Sequence, residues 1–177
     1  MSRTQPVPER VPQAPTLGTV SVGGFTTCGS DASGAAYCWE ANPRGEMGVG
    51  ASDGSLAPIR VAASGALSHL SAGMLQSCGV AMSGAAFCWG DDSFGQLGVP
   101  SESLTQCCGA QTLACSLVPV QVSGSLHFSQ VSAGLGSHTC GVTTDGSIAC
   151  WGLGLSGQRG DGTATYVVST PTVVRAR

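Results

Sequence analysis

The sequence predicts an all-β protein, built from about three four-stranded antiparallel units arranged as propeller blades. Three observations predict it. A cysteine-framed segment recurs three times. Short strand candidates alternate with Gly and Ser clusters. No window carries the sustained 3.6-residue apolar period of a helix.

The repeat comes first because it fixes the architecture. Cys28 to Trp39, Cys78 to Trp89 and Cys140 to Trp151 align without a gap, each with Cys, Gly, Gly, Cys and Trp at the same places. Gly23, Gly73 and Gly134 precede the three segments, and Gly45 to Gly48, Gly95 to Gly98 and Gly157 to Gly160 follow them as Gly-x-x-Gly steps. A Pro-x-x-Val step opens each unit, at Pro8, Pro58 and Pro119, and a fourth begins at Pro171. The chain therefore divides into residues 1–7 as an N-terminal loop or strand remnant, repeat 1 at 8–57, repeat 2 at 58–118, repeat 3 at 119–170, and the start of a fourth repeat at 171–177. Repeat 2 is longest because residues 99–118 hold an insertion bearing Cys107, Cys108 and Cys115. In repeat 2 the strand candidates are Ile59 to Ala62, Leu67 to Ser71, Ser77 to Ala81 and Ala85 to Trp89. Four short strands per unit of this length suit a propeller blade.

The cysteine pairing follows from register. Each pair is symmetric about a central residue, Ser33, Ser83 or Asp145, followed by Gly34, Gly84 or Gly146. A three-residue hairpin loop wants a left-handed residue in its third place, and Gly supplies it. That loop sets the two cysteines directly opposite each other, within disulfide reach. The expected bonds are Cys28–Cys38, Cys78–Cys88 and Cys140–Cys150, each contributing at most about 2–3 kcal/mol because the loop is short. In the insertion Cys108–Cys115 is expected, with Cys107–Cys115 as the rival. No Cys-x-x-Cys redox motif occurs, and three cysteines without a nearby His do not make a zinc site.

Composition narrows the function classes. Only 10% of residues are charged, and none of the 177 is Lys. The scattered Arg residues make no basic stripe, so neither nucleic acid nor an anionic membrane is an expected partner. No apolar run reaches about 18 residues, which argues against membrane insertion by a helix. Nine cysteines, evenly spaced, imply an oxidising compartment, extracellular, periplasmic or at the cell surface. Met1 to Pro15 carries no basic start and no apolar core, so no export signal is expected within this chain.

Candidate sites are few. Trp39, Trp89 and Trp151 hold a fixed place after a disulfide strand and are read as packing between blades. His69, His127 and His138 are read as structural. Asp91-Asp92-Ser93 lacks the spacing of a calcium loop and is read as a solvated turn. No nucleophile elbow, phosphate loop or zinc-protease motif is present, so no catalytic residue, cofactor or metal is expected. The segments between Trp and Gly-x-x-Gly vary most from unit to unit, and variable loops on a repeated frame suit recognition. Arg44, Asp91, Phe94 and Leu155 are the expected partner-binding residues.

The combined pattern resembles the repeats of the regulator of chromosome condensation family in their bacterial, cysteine-bearing form. The matching residues are Val131 to Gly134, His138 to Val142, Asp145-Gly146, Cys150 to Gly152 and Gly157-Gln158, with Gly95 to Gly98 as the fullest Gly-Gln-Leu-Gly. The resemblance implies a ring of about seven blades, of which this chain supplies a part, and partner binding through loops on the ring faces. Eukaryotic members include an exchange factor for a small GTPase and chromatin binders; bacterial members include secreted proteins, one an inhibitor of β-lactamases. The chain departs from the pattern at Glu40, which stands where the other units have Gly, at Gly45-Glu-Met-Gly48, and in having three units only. Three blades do not close a ring, so the array is expected to belong to a longer ring, or else to assemble head to tail with identical chains. The expected function is a secreted, non-catalytic protein-binding module. The alternatives are a small-GTPase regulator and a propeller-based hydrolase or lyase.

Overall fold

The structure is a computed structural model that describes residues 9–11, 13–63, 65–104, 106–107 and 113–174. Its first sheet is β1 (Leu17–Val22), β2 (Thr26–Asp31), β3 (Ala36–Glu40) and β4 (Ser55–Arg60), in that spatial order. The second has β5 (Leu67–Ala72), β6 (Gln76–Ala81) and β7 (Ala86–Asp91), then a 3₁₀ turn at Ser101–Ser103, the short β8 (Gln106–Cys107) and β9 (Leu113–Gln121). Here the order is β5-β6-β7-β9-β8, so the insertion adds a fifth strand at the edge. The third sheet is β10 (Phe128–Ala133), β11 (His138–Thr143), β12 (Ile148–Leu153) and β13 (Val167–Val173). All pairings are antiparallel. No helix among the described residues is long and apolar enough to cross a membrane.

The central hairpin of each blade forms as its turn chemistry requires. Cys28 faces Cys38, Cys78 faces Cys88 and Cys140 faces Cys150. Each pair is disulfide-bonded, with Cα atoms 4.1 Å apart. The loops are three residues long and end on Gly34, Gly84 and Gly146, which have φ of 81°, 87° and 87°. Each loop is closed by a backbone bond across its base, such as Asp31 N–H to the Ala35 carbonyl at 3.0 Å. Cys115 is also in a disulfide; the Cys108 end of the expected insertion bond lies outside the described residues.

The sheets are cut one strand later than the sequence units. Pro58, Pro119 and Pro171 lie in β4, β9 and β13, the last strands of the preceding blades. The strand expected to open the second unit at Ile59 instead completes blade 1, where Ile59 pairs with Cys38. A tandem repeat has the same period wherever it is cut, so the phase is set only by which strands pair. The prolines fall on strands near the sheet edges, where a missing N–H costs little and an unpaired edge is blunted. Residues 1–7 lie outside the described part.

Between β3 and β4, β7 and β9, and β12 and β13, the ladder breaks just after the Trp. The residue at each break has a positive φ: 89° at Glu40, 97° at Gly90 and 94° at Gly152. This is the bulge geometry that favours Gly. It explains the repeated Trp-Gly and shows that Glu40 holds a strained place. The Glu40 carboxylate accepts a bond from Thr27 Oγ1 at 3.0 Å, a partial offset.

The core lies between blades. Disulfide Cys28–Cys38, Met47 and Val61 of blade 1 pack against Leu67, Ala72 and Trp89 of blade 2. The same layer recurs one blade on, with Cys78–Cys88 and Leu97 against Phe128, Val131 and Trp151. The first strands of successive blades are also tied together. Ser21 Oγ accepts from the Ala72 N–H at 2.9 Å, and Ser71 Oγ accepts from the Ala133 N–H at 3.0 Å.

Replacing Glu40 by Gly is expected to raise stability by about 1 kcal/mol, since left-handed backbone costs a side-chain-bearing residue about that much. Chemical unfolding reads it. A decrease would show that the Thr27 bond outweighs the backbone strain.

Candidate interaction face

The Gly-x-x-Gly step is a seat for the next blade's tryptophan. Two tight turns close each step, as in Gly45 N–H to the Asn42 carbonyl (3.2 Å) and Gly48 N–H to the Gly45 carbonyl (2.9 Å). Trp89 Nε1 donates to the Glu46 carbonyl at 2.7 Å, and Trp151 Nε1 donates to the Gln96 carbonyl at 2.9 Å. Thr139 Oγ1 donates to the same Gln96 oxygen. A Cβ on Gly48 would lie 2.7 Å from Trp89 Nε1, and one on Gly98 would lie 2.8 Å from Trp151 Nε1. Both glycines also have positive φ. Sequence reading had the tryptophans as inter-blade packing, and Trp89 and Trp151 do this with no exposed surface.

This seating lays each post-Trp loop over the following blade. Gly45 rests on Ser116 and Leu117 of β9, and Gly95 rests on Val167 and Ser169 of β13. The same loops are bonded to the turn between the first two strands of their own blade. Ala41 N–H donates to the Phe25 carbonyl, Asp91 N–H to that of Leu75 and Leu153 N–H to that of Ser137, at 2.9–3.0 Å. Loops and turns therefore share one face. The turns expose Phe25 (51%), Met74 (41%) and Leu135 (66%).

Of the four residues singled out from sequence, Arg44, Phe94 and Leu155 sit in the loops of this face and Asp91 ends β7 at the root of one, in different roles. Arg44 Nε lies 4.0 Å from Asp91 Oδ1, across the junction of blades 1 and 2. Asp91 is only 4% exposed. Its carboxylate accepts from Ser93 Oγ at 2.7 Å and from Gln96 Nε2 at 2.6 Å, so it holds its own loop. Phe94 is half-buried and meets Tyr166 edge-on at 5.9 Å. Leu155 is exposed.

The reading of Asp91-Asp92-Ser93 as a solvated turn is overturned, because Asp92 is also 4% exposed. Charge alone suggested solvent; the loop instead packs against blade 3 and carries its carboxylates inward. The sequence reading also missed Phe25, Met74 and Leu135. The available signal was an apolar residue set straight after the Gly of a tight turn, where no core is in reach. Burial raises the carboxyl pKa of Glu46. Among the described residues no three His, Cys, Asp or Glu side chains are placed to hold a metal ion.

Gly98→Ala is expected to cost about 2–4 kcal/mol, from backbone strain together with displacement of the Trp151 indole. Gly160→Ala meets no indole, only Val174 Cγ1 at 3.5 Å, and is expected to cost about 1 kcal/mol. Equal losses in urea unfolding would show that the indole seat contributes nothing.

Comparison with known proteins agrees with this geometry. Two profiles of the regulator of chromosome condensation (RCC1) repeat match, one over residues 83–142 and one over 128–158. No curated protein matches the chain in sequence. Among solved structures, Prp20p from Saccharomyces cerevisiae superposes with a TM-score of 0.81 at 20% identity, over 90% of this chain and 38% of its own. Human WBSCR16 gives 0.74 at 19% identity, over 89% and 37%. The ectodomain of the Physcomitrella patens receptor kinase CR4 gives 0.51 at 21%, over 79% and 31%. The chain thus spans less than two-fifths of the length of each. The profile matches identify regulator of chromosome condensation (RCC1) repeats over residues 83–158, and the superpositions, together with the strand order and the tryptophans seated between blades, give the chain the blade fold of those propellers.

Proposed function

We propose that this chain is a non-catalytic protein-binding module whose contact surface is the face carrying the post-Trp loops. One observation carries the reading. Exposed Phe25, Met74, Leu135 and Leu155 gather on a single face, while the polar side chains beside them, Asp91 and Gln96, are consumed by internal bonds. Exposed apolar groups on a rigid frame mark an interaction site. Arg44 and Phe94 add anchor types favoured in interfaces. The fold neighbours support a protein-interaction or GTPase-regulator role, since Prp20p is described by its binding to Gsp1p and histones. The absence of Lys disfavours a nucleic-acid partner. Three disulfides support an oxidising, extracytoplasmic setting and weigh against the GTPase-regulator alternative. Nothing on the face supports a hydrolase or lyase constellation.

The two ends of the array support continuation. Val20 and Val22 of β1 are exposed at positions where Leu70 and Ala72 of β5 pack on the preceding blade. Blade 3 presents a cavity of about 300 Å³ lined by Val131, Cys140, Val142 and Ile148 on the side where blades 1 and 2 bury their disulfides. Further blades of a longer ring suit both faces; a head-to-tail second copy is the alternative.

Three measurements check this. Biotinylated chain cross-linked in its native secretions is expected to capture a protein that the Phe94→Ala, Leu135→Ser double variant loses and Met82→Ser, at a hairpin tip, keeps. Equal capture by all three would dismiss this face. Thiol titration of denatured, unreduced protein is expected to find the three paired sets unreactive; six or more reactive thiols would favour a cytosolic regulator. Light scattering that shows a monomer at every concentration would exclude the second copy.

A further inference from the structure

Each blade meets the same local demand in its post-Trp loop, and the three blades meet it with different chemistry. In blade 1 Asn42 Oδ1 accepts from the Met47 N–H at 2.9 Å. Its Nδ2 donates to the carbonyls of Ala51 (2.7 Å) and Asp53 (3.1 Å), pinning the stretch that leads to β4. In blade 3 the aligned residue is Gly154, and Arg159 folds into the space. A Cβ on Gly154 would lie 1.8 Å from Arg159 Nη1. That nitrogen donates to the carbonyls of Gly152 (3.3 Å) and Thr165 (2.9 Å), and Nη2 donates to Thr163 Oγ1 (3.1 Å). Arg159 is neutralised by Asp161 at 2.9 Å.

Blade 2 places Asp92 there. Its Oδ1 accepts from the Leu97 N–H at 2.7 Å, the counterpart of the Asn42–Met47 bond. The other oxygen, Oδ2, corresponds to the donating amide of Asn42, and it is buried without a partner. Buried polar atoms without partners are costly, and an ionised one more so. The loop around Asp92 is the root of the cysteine-bearing insertion. Asp92 N–H donates to the Ala114 carbonyl at 2.8 Å, and Asp91 pairs with Cys115 in the sheet.

We propose that Asp92 is carried as the neutral acid in the folded protein, its carboxyl proton standing in for the amide donor of blade 1 and the guanidinium donor of blade 3, and that its ionisation loosens the root of the insertion on blade 2. The start of β9 thereby becomes a pH-responsive segment of blade 2. Burial is the main cause that pushes Asp92 from 3.8 up to about 7, and the neighbouring Asp91 carboxylate adds to it. The surrounding groups do not reverse this. Asp91 is drawn on by Arg44 and Gln96. Glu46, across the junction, is another acid with a raised pKa. Glu102 is the one charged residue between Val99 and Thr112, and it is exposed. β9 carries no Asp, Glu, Lys, Arg or His. Blade 3 packs on the loop through Thr139, Trp151 and β13, with His138 beside Thr139 and Tyr166 against Phe94 as its ionisable groups.

The sign follows from linkage. The folded state holds a proton that the unfolded chain releases at ordinary carboxylate pH. Asp92 therefore favours folding most at low pH, and that contribution is lost as pH rises through the window from about 4 to about 7. Thermal melts of wild type, Asp92→Asn and Asp92→Ala from pH 5 to 8.5 test it. Wild-type Tm is expected to fall by about 5 °C or more across the range relative to Asp92→Asn, whose amide donates at every pH. The two are expected to differ least at the acid end and to diverge as pH rises, and Asp92→Ala is expected to be less stable than Asp92→Asn throughout. Parallel profiles for wild type and Asp92→Asn would overturn the proposal. Carboxyl carbon NMR on wild type decides it even if a variant does not fold. Titration of Asp92 near neutrality supports the proposal, and titration near 4 ends it.

Discussion

The array depends on one contact, the indole of each blade seated on the Gly-x-x-Gly step of the blade before it. The seat requires three things at once: a carbonyl aimed at Nε1, no Cβ beneath the ring, and a positive φ that turns the chain away. Trp89 on Glu46 and Gly48, and Trp151 on Gln96 and Gly98, meet all three. The contact is short-range and steric, so it fixes the offset between blades as well as their association. Interiors packed to this density do not tolerate an added methyl at such a point.

Two other devices act around the seat, each at a different range. Within a blade, the disulfide locks the central hairpin and buries its sulfurs towards the next blade, so a local crosslink also supplies inter-blade core. Along the first strands, Ser21 and Ser71 hold the following strand by its backbone N–H, which keeps the blades converging. The outcome is a frame that exposes Phe25, Met74, Leu135 and Leu155 on the face of the post-Trp loops. Within such a frame the Gly-x-x-Gly seats are fixed, and the residues between them and the Trp are free to differ. The unlike solutions at Asn42, Asp92 and Arg159 show the same freedom inside the loops, where one donor site is filled by an amide, an acid and a guanidinium.

Much of the candidate face was legible as location and little of it as role. The loops after Trp39, Trp89 and Trp151 stood out because they vary on a repeated background, and they do share a face. Asp91 looked like a surface charge, yet both of its oxygens are spent on Ser93 and Gln96, because the loop packs against the next blade. Phe25, Met74 and Leu135 were passed over because a single apolar residue after Gly carries no periodic signal. They gather on one face only when three blades stand side by side.

The sequence by itself determined the period, the hairpin loops and the three cysteine pairings. These are local matters, in which ten residues and one left-handed glycine settle the register. Tertiary structure alone decided where one blade ends and the next begins, which tryptophan sits on which loop, and that Asp91 and Asp92 are buried. Those outcomes rest on contacts between segments about 43 to 55 residues apart, such as Trp89 with Glu46 and Trp151 with Gln96. A repeat reads the same in every frame until such contacts choose one.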